Sequence, residues 1–510
     1  MSEDKERLED ALRLILENTD PDAPEEKSKS VAPELPAERE PTDDEPAVYP
    51  EDWERLEHVD YFYRRDTILV RTADIDRVVA ALRREPGAII PQNVPIEQLA
   101  VIDGVTVVFW RREVASATAS EDVAAAKSGN DHDDDRGRGD GDGDDDDHDH
   151  GPGRDPLSTP YVLARLDRRL GVGVATPDHL LSLCGNGHPC PATEPAEVPI
   201  KSASPVPPVN DGICCGTRGW DGRGVLVGVV DGGLIDNAGM WPWMAGVKGD
   251  RENPFRHNDG LIKHYACHGT FVAGCVRCTA PKADVFVKRA AYHRRRPEAG
   301  AAYESAIIRK MSELLDMGAD IIVCEFDGIT RLHLPLKTFE AFYDNRLRQL
   351  KNVVVLAPAG NDNTALPTFP AAYSWVIGVG ALSADGHRRA DFSNYGGWVD
   401  VYAPGVDLVN AFAVGDYKCN EPPRDDRHFE GLANWSGTSF STPLVAGMIA
   451  ARMSATGESA PRAAEALLRF ARSQAIPGVG PVLYPDQVCG TPREPRHARC
   501  DCACGPTVLS

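Results

Sequence analysis

The sequence predicts an α/β protein built on a mostly parallel central sheet, with a small α+β domain upstream. Three observations carry this. In the second half of the chain, near-continuous Val, Ile, Leu and Ala runs recur, the composition of strands buried on both faces. Segments of helical periodicity lie between those runs, as in parallel sheets covered by helices. A separate strand–helix–strand pattern occupies residues 61–115, set apart by a charged, Gly-rich tract.

Taken in order, residues 1–60 open with a short amphipathic segment at 8–16 and then turn Pro- and Glu-rich, a composition that predicts disorder. Within 61–115, a strand is expected over 66–71 and a helix over 73–84, where Ile75, Val78, Val79 and Leu82 share one face. A second strand is expected over 105–110. A domain of about fifty residues is small for independent stability. Residues 116–209 read as an acidic flexible linker with a helix at 161–170 and a Pro-rich exit, expected to run extended along the surface of the larger domain downstream. That main domain spans 210–480. Its strands are expected at 224–230, 284–288, 319–326, 352–357 and 375–381, with helices at 302–317 and 338–350. A tail at 481–510 holds Cys489, Cys500, Cys502 and Cys504, whose spacing does not match common structural zinc sites.

Across 510 residues the formal net charge is −23, and residues 131–155 alone hold 12 Asp against 3 Arg. That balance argues against nucleic acid and anionic membrane surfaces as partners. No apolar run reaches transmembrane length, and the acidic opening Met1-Ser2-Glu3-Asp4 lacks a signal-peptide pattern, so a cytoplasmic location is expected. The 13 cysteines are odd in number and sit in apolar or motif contexts, which favours free thiols over a disulfide framework.

Chemistry gathers at the carboxyl ends of strands in an open parallel sheet. Asp231 ends one such run and is succeeded by Gly232-Gly233, a turn able to aim a buried carboxylate. His268 opens the small-residue segment His268-Gly269-Thr270-Phe271-Val272-Ala273-Gly274. Ser439 lies in Gly437-Thr438-Ser439-Phe440-Ser441-Thr442-Pro443, which reads as a tight turn into the first turn of a buried helix. Taken singly, Ser439 is as well explained as an N-cap, Asp231 as a cap and His268 as a core histidine. Together they supply a nucleophile, a base and a carboxylate.

These three motifs, in the order Asp, His, Ser, resemble those of the subtilisin-like serine proteases, over roughly residues 210–476. A fourth stretch agrees: Val353-Val354-Val355-Leu356-Ala357-Pro358-Ala359-Gly360-Asn361-Asp362 is similar to the family's strand ending in Ala-Gly-Asn. The resemblance implies a subtilisin-like three-layer fold, a catalytic triad of Asp231, His268 and Ser439, and Asn361 as the side-chain donor of an oxyanion hole beside the Ser439 N–H. One such donor is worth about 3–4 kcal/mol of transition-state stabilisation, a figure that comes from subtilisin itself. It implies a peptide or protein substrate and no cofactor. Upstream, residues 61–115 resemble in position and pattern the small propeptides many subtilases carry, with cleavage then expected between 116 and 208; a separate regulatory domain is the alternative.

The chain departs from the family's pattern. Gly232 stands where family members usually carry a Ser or Thr hydroxyl that supports the carboxylate, and Phe271 where a second His is common. Cys324-Glu325-Phe326-Asp327-Gly328 aligns with the family's Ser-Leu-Gly strand, which makes Glu325, Phe326 and Asp327, with Gly360, the expected substrate-binding residues. Glu325 and Asp327 either bias the cleft towards basic side chains or point to solvent. Cys267, Cys275 and Cys278 around the His268 motif read as reactive thiols or as small buried hydrophobes. The reading that results is a serine endopeptidase of restricted range, against the alternative of a catalytically weak subtilase-like binding module.

Overall fold

The computed structural model describes residues 61–84, 100–109, 123–126, 159–183, 192–198, 219–256, 259–291, 300–419 and 424–487. The expectations for residues 1–60, the aspartate-rich tract and the tail cysteines lie outside these residues.

The N-terminal unit is an antiparallel sheet with helices on one face. It runs β1 (Tyr61–Arg71), α1 (Ile75–Leu82), β2 (Ala100–Ile102), β3 (Val105–Phe109), β4 (Val123–Ala126), α2 (Thr159–Leu170) and β5 (Ala175–Ser182). Period-two alternation sends Ile68 and Val70 of β1 to one face, where they meet Val78 and Leu82 of α1 and Val162, Leu163 and Leu166 of α2. Leu69, Val105 and Val107 go to the other face.

The expectation of a surface linker over 116–209 is corrected at residues 175–182. There β5 is an inner strand of this sheet, with Leu69 opposite Thr176 and Val70 opposite Ala175. Its sequence, Ala-Thr-Pro-Asp-His-Leu-Leu-Ser, lacks clean alternation because both its faces and both its edges meet partners remote in the chain.

After the short β6 (Ala196–Glu197) comes the main domain. Its elements are β7 (Leu226–Asp231), β8 (Leu234–Ile235), β9 (Lys248–Gly249), β10 (Arg251–Glu252), α3 (His268–Thr279), β11 (Asp284–Arg289), β12 (Ala301–Tyr303), α4 (Glu304–Asp316), β13 (Ile321–Cys324), α5 (Lys337–Phe342), β14 (Val354–Pro358), β15 (Val376–Leu382), β16 (Val401–Pro404), β17 (Leu408–Lys418), β18 (Asp426–Trp435), α6 (Thr438–Thr456) and α7 (Ala460–Ser473). Seven strands form a parallel sheet in the order β16-β15-β14-β13-β7-β11-β9. One face packs on α3, α6 and α7 through Val227, Val229, Phe271, Val276, Val445, Met448 and Leu467. The other packs on α4 and α5 through Ile322, Val355, Ile307, Met311 and Phe339, and that layer in turn meets Leu69, Val107 and Leu181 of the N-terminal sheet. The five strands read from sequence are β7, β11, β13, β14 and β15, each shifted by one or two residues. The antiparallel β17–β18 hairpin, extended by β6, was not expected.

Two helices approach closely on the first face. A Cβ on Gly447 of α6 would lie 2.0 Å from Thr279 Oγ1 and 2.6 Å from the Val276 carbonyl of α3, so only glycine admits this contact. α6 starts at Thr438, which places Pro443 in its second turn rather than its first. The missing N–H there leaves the Ser439 carbonyl outside the helical ladder.

Candidate active site

β7 lies between β13 and β11, so its last residue, Asp231, emerges at the centre of the sheet's carboxyl edge. Its carboxylate is fully buried, with Oδ1 accepting the Gly232 N–H and Oδ2 accepting from His268 Nδ1 at 2.8 Å. That bond fixes the tautomer and leaves Nε2 as the acceptor. His268 opens α3 behind Cys267, a non-glycine residue at φ 68. The imidazole is clamped by Phe440, 5.3 Å between centroids, and by the edge of Trp435 at 5.6 Å. Nε2 is buried and makes no hydrogen bond.

Ser439 is the second residue of α6, not its N-cap; that position is Gly437. The Ser439 hydroxyl donates to the Leu183 carbonyl at 3.4 Å rather than to His268. Leu183 comes directly after β5. Its N–H donates to the Gly300 carbonyl at 2.8 Å, while Ser182 and Asp327 exchange both backbone bonds at 3.0 and 2.9 Å. β12 pairs with β5 on the other side, Ala302 opposite Leu181. The protein's own residues 180–183 therefore lie as a strand between β12 and the 325–328 segment and end on the serine. The chain comes back into the described residues at Ala192, whose N–H meets the carbonyl of Ser436, three residues before Ser439.

Asn361 comes after Gly360, which has φ 99 and on which a Cβ would lie 2.4 Å from Asp327 Oδ2. Asn361 Oδ1 accepts from the Thr438 N–H at 2.9 Å and the Thr438 hydroxyl at 3.0 Å, which orients its amide group beside the serine turn.

The substrate-binding expectations divide. Phe326 is wholly buried in the core shared with α4 and α5, which makes it a packing residue. Glu325 and Asp327 do not point to solvent: both are buried, Glu325 completely. Neither Glu325 oxygen makes a hydrogen bond. Burial, then the charge of Asp231, push its carboxyl well above the ordinary range, against a smaller opposing effect of the nearby Ser439 hydroxyl. Burial likewise raises the thiols of Cys267 and Cys275 and takes Cys278 and Cys324 to about 12, so these are buried apolar groups and not activated nucleophiles.

Sequence reasoning missed two participants. Leu183 touches the serine through backbone alone, which no side-chain motif records. Glu252 of β10 lies next to Gly232 and Cys267, brought there by a two-residue strand pairing with β8.

The subtilase family model matches residues 222–479. Two relatives are each 30% identical: an intracellular serine protease of Paenibacillus polymyxa, aligned over 45% of this chain and 66% of its own, and thermitase of Thermoactinomyces vulgaris, over 48% and 80%. Among solved structures, fervidolysin from Fervidobacterium pennivorans superposes with a TM-score of 0.50 at 17% identity, over 85% of this chain and 63% of that one; at that identity it speaks for the fold alone. The aligned part of the first relative falls just short of two thirds of its length. Among the described residues no helix is long and apolar enough to cross a membrane. The match to half of the chain, over the domain that holds Asp231, His268 and Ser439, makes this protein a member of the subtilase family.

Proposed function

We propose that the chain is a serine endopeptidase in which Ser439 attacks a peptide carbonyl and His268 takes its proton and later delivers it to the leaving amine. Asp231 orients the imidazole and stabilises the imidazolium. Asn361 and the Ser439 N–H receive the negative charge that develops on the carbonyl oxygen. The observation that carries this reading is the Asp231–His268 bond of 2.8 Å, which leaves Nε2 as a free acceptor in the serine's own neighbourhood.

In the same reading residues 61–183 act as a propeptide-like inhibitor. What supports it is the strand 180–183 filling the groove with its terminal carbonyl on Ser439. A hydroxyl engaged with that carbonyl instead of His268 describes a cleft occupied and not yet reacting. Glu325 and Asp327 place carboxyl groups beside Ser439 and Gly360, which a basic substrate side chain would draw into the charged form, the basis for a preference for basic side chains. The binding-module alternative draws on Gly232, where the supporting hydroxyl is absent.

Mass spectrometry of the purified chain beside Ser439→Ala tests the reading. Wild type is expected to lose its N-terminal region by a cut close to Leu183, while the variant stays whole. Two intact chains, together with no labelling of Ser439 by a fluorophosphonate, would overturn it in favour of the binding module.

A further inference from the structure

We propose that Glu252 is a positioning residue for the Asp231–His268 pair, its carboxyl holding the backbone at the start of α3 and occupying the space beside Gly232. The inference rests on the endopeptidase reading above. It accounts for Gly232, which leaves the Asp231 carboxylate without a neighbouring hydroxyl.

The geometry has three parts. Both carboxyl oxygens of Glu252 accept the Cys267 N–H, at 3.2 and 3.1 Å. Cys267 is the residue before His268 and adopts the left-handed conformation that side-chain-bearing residues rarely hold unless surroundings fix it. Glu252 is what fixes it. Next, a Cβ on Gly232 would lie 4.0 Å from Glu252 Oε1, so the carboxyl borders the volume a serine or threonine would use there. Finally, β10 pairs in parallel with β8, placing Glu252 opposite Ile235, and the Ile235 N–H reaches Thr270 of α3 at 3.1 Å. One small sheet thus ties Glu252, the turn after Asp231 and the first turn of the histidine helix together.

The charge on Glu252 then bears on catalysis. It sits at the N-terminus of α3, where an anion is favoured. The charged groups facing it are Arg289 of β11 and Lys263, which favour the carboxylate, and Asp231 of β7, which opposes it; Cys267 contributes its N–H. Burial outweighs these and raises the carboxyl to about 8. Below that pH the group is a neutral acceptor. Above it, the bond to Cys267 becomes charge-assisted, and a second negative charge stands near the imidazolium that forms on His268.

The test uses the full chain with Ser439 intact and tracks the first-order rate of self-cleavage from pH 6 to 9, a single-turnover event that no substrate affinity confounds. The wild-type rate is expected to rise with a midpoint near 8. Glu252→Gln keeps an acceptor for Cys267, so its rate below pH 7 stays within about tenfold of wild type while the rise disappears; Glu252→Ala loses roughly 10- to 100-fold at every pH, as expected for a misplaced catalytic group. A rise near pH 8 retained in Glu252→Gln, or a wild-type rate in Glu252→Ala, overturns the role. Should Glu252→Ala fail to fold by thermal melting, the pH profile of Glu252→Gln decides alone. A wild-type chain that neither cleaves itself nor takes a fluorophosphonate on Ser439 removes the endopeptidase reading and this role with it. An active wild type with unaltered variants removes only the role of Glu252.

Discussion

Leu181 is the side chain that holds the chain's own strand in the groove. It is wholly buried, in a core shared with Ile307, Phe326 and Phe339, and a Cβ on Gly328 would lie 2.8 Å from its Cδ2. Truncating such a leucine to alanine costs about 2–5 kcal/mol. If about 3 kcal/mol of that falls on local opening of residues 180–183, the open population rises roughly a hundredfold. Leu181→Ala is best measured in the Ser439→Ala background, where self-cleavage is blocked, by hydrogen exchange. Three amides report directly: Ser182 bonded to Asp327, Asp327 bonded to Ser182, and Leu183 bonded to Gly300. These are expected to exchange roughly a hundredfold faster while amides in β14 and α6 keep their protection. Unchanged exchange at the three amides would refute the argument. Equal acceleration throughout the domain would do so as well, since it would mean that Leu181 supports the global fold and not the docked strand.

Two further outcomes are expected. Gly447→Ala places a Cβ 2.6 Å from the Val276 carbonyl, a backbone atom that cannot turn aside, so α3 and α6 must separate. The loss should reach about 3 kcal/mol, seen as a fall in Tm of roughly 6–12 °C by calorimetry; a Tm within a degree of wild type would contradict the packing. Glu325→Gln bears on pH. Because the folded carboxyl is raised above its ordinary 4.5, the folded chain binds the extra proton, so this stability is whole below 4.5 and is lost as pH rises towards the folded value. Glu325→Gln should therefore melt higher than wild type at pH 8 and flatten the decline in Tm above pH 5, and on a peptide library it should weaken selection of basic side chains. A wild-type preference for large apolar residues at the cleaved position would remove the specificity argument.

The parallel sheet was legible in the residues alone, because strands buried on both faces must be apolar nearly throughout, and β13, β14, β15 and β7 up to its closing Asp231 are. Asp231, His268 and Ser439 stood out in the sequence as a set, each in a short glycine-bearing stretch in the order Asp, His, Ser, and Asn361 joined them through the family resemblance; none is decisive taken singly. The remainder took the folded chain. Glu325 and Asp327 are visibly acids in the sequence, but burial is a property of what surrounds them, and their neighbours come from β7, the turn after β14 and α6. Phe326 falls in the core with Cys324 because side-chain direction alternates along an extended segment. β5 was concealed by its proline and polar residues, since its place in a sheet depends on β1 and β12, more than a hundred residues apart from each other. Leu183 acts through a backbone carbonyl, which every residue possesses, and Glu252 through a bond to another backbone group. Contacts of that kind have no residue signature, and only the tertiary arrangement assigns them.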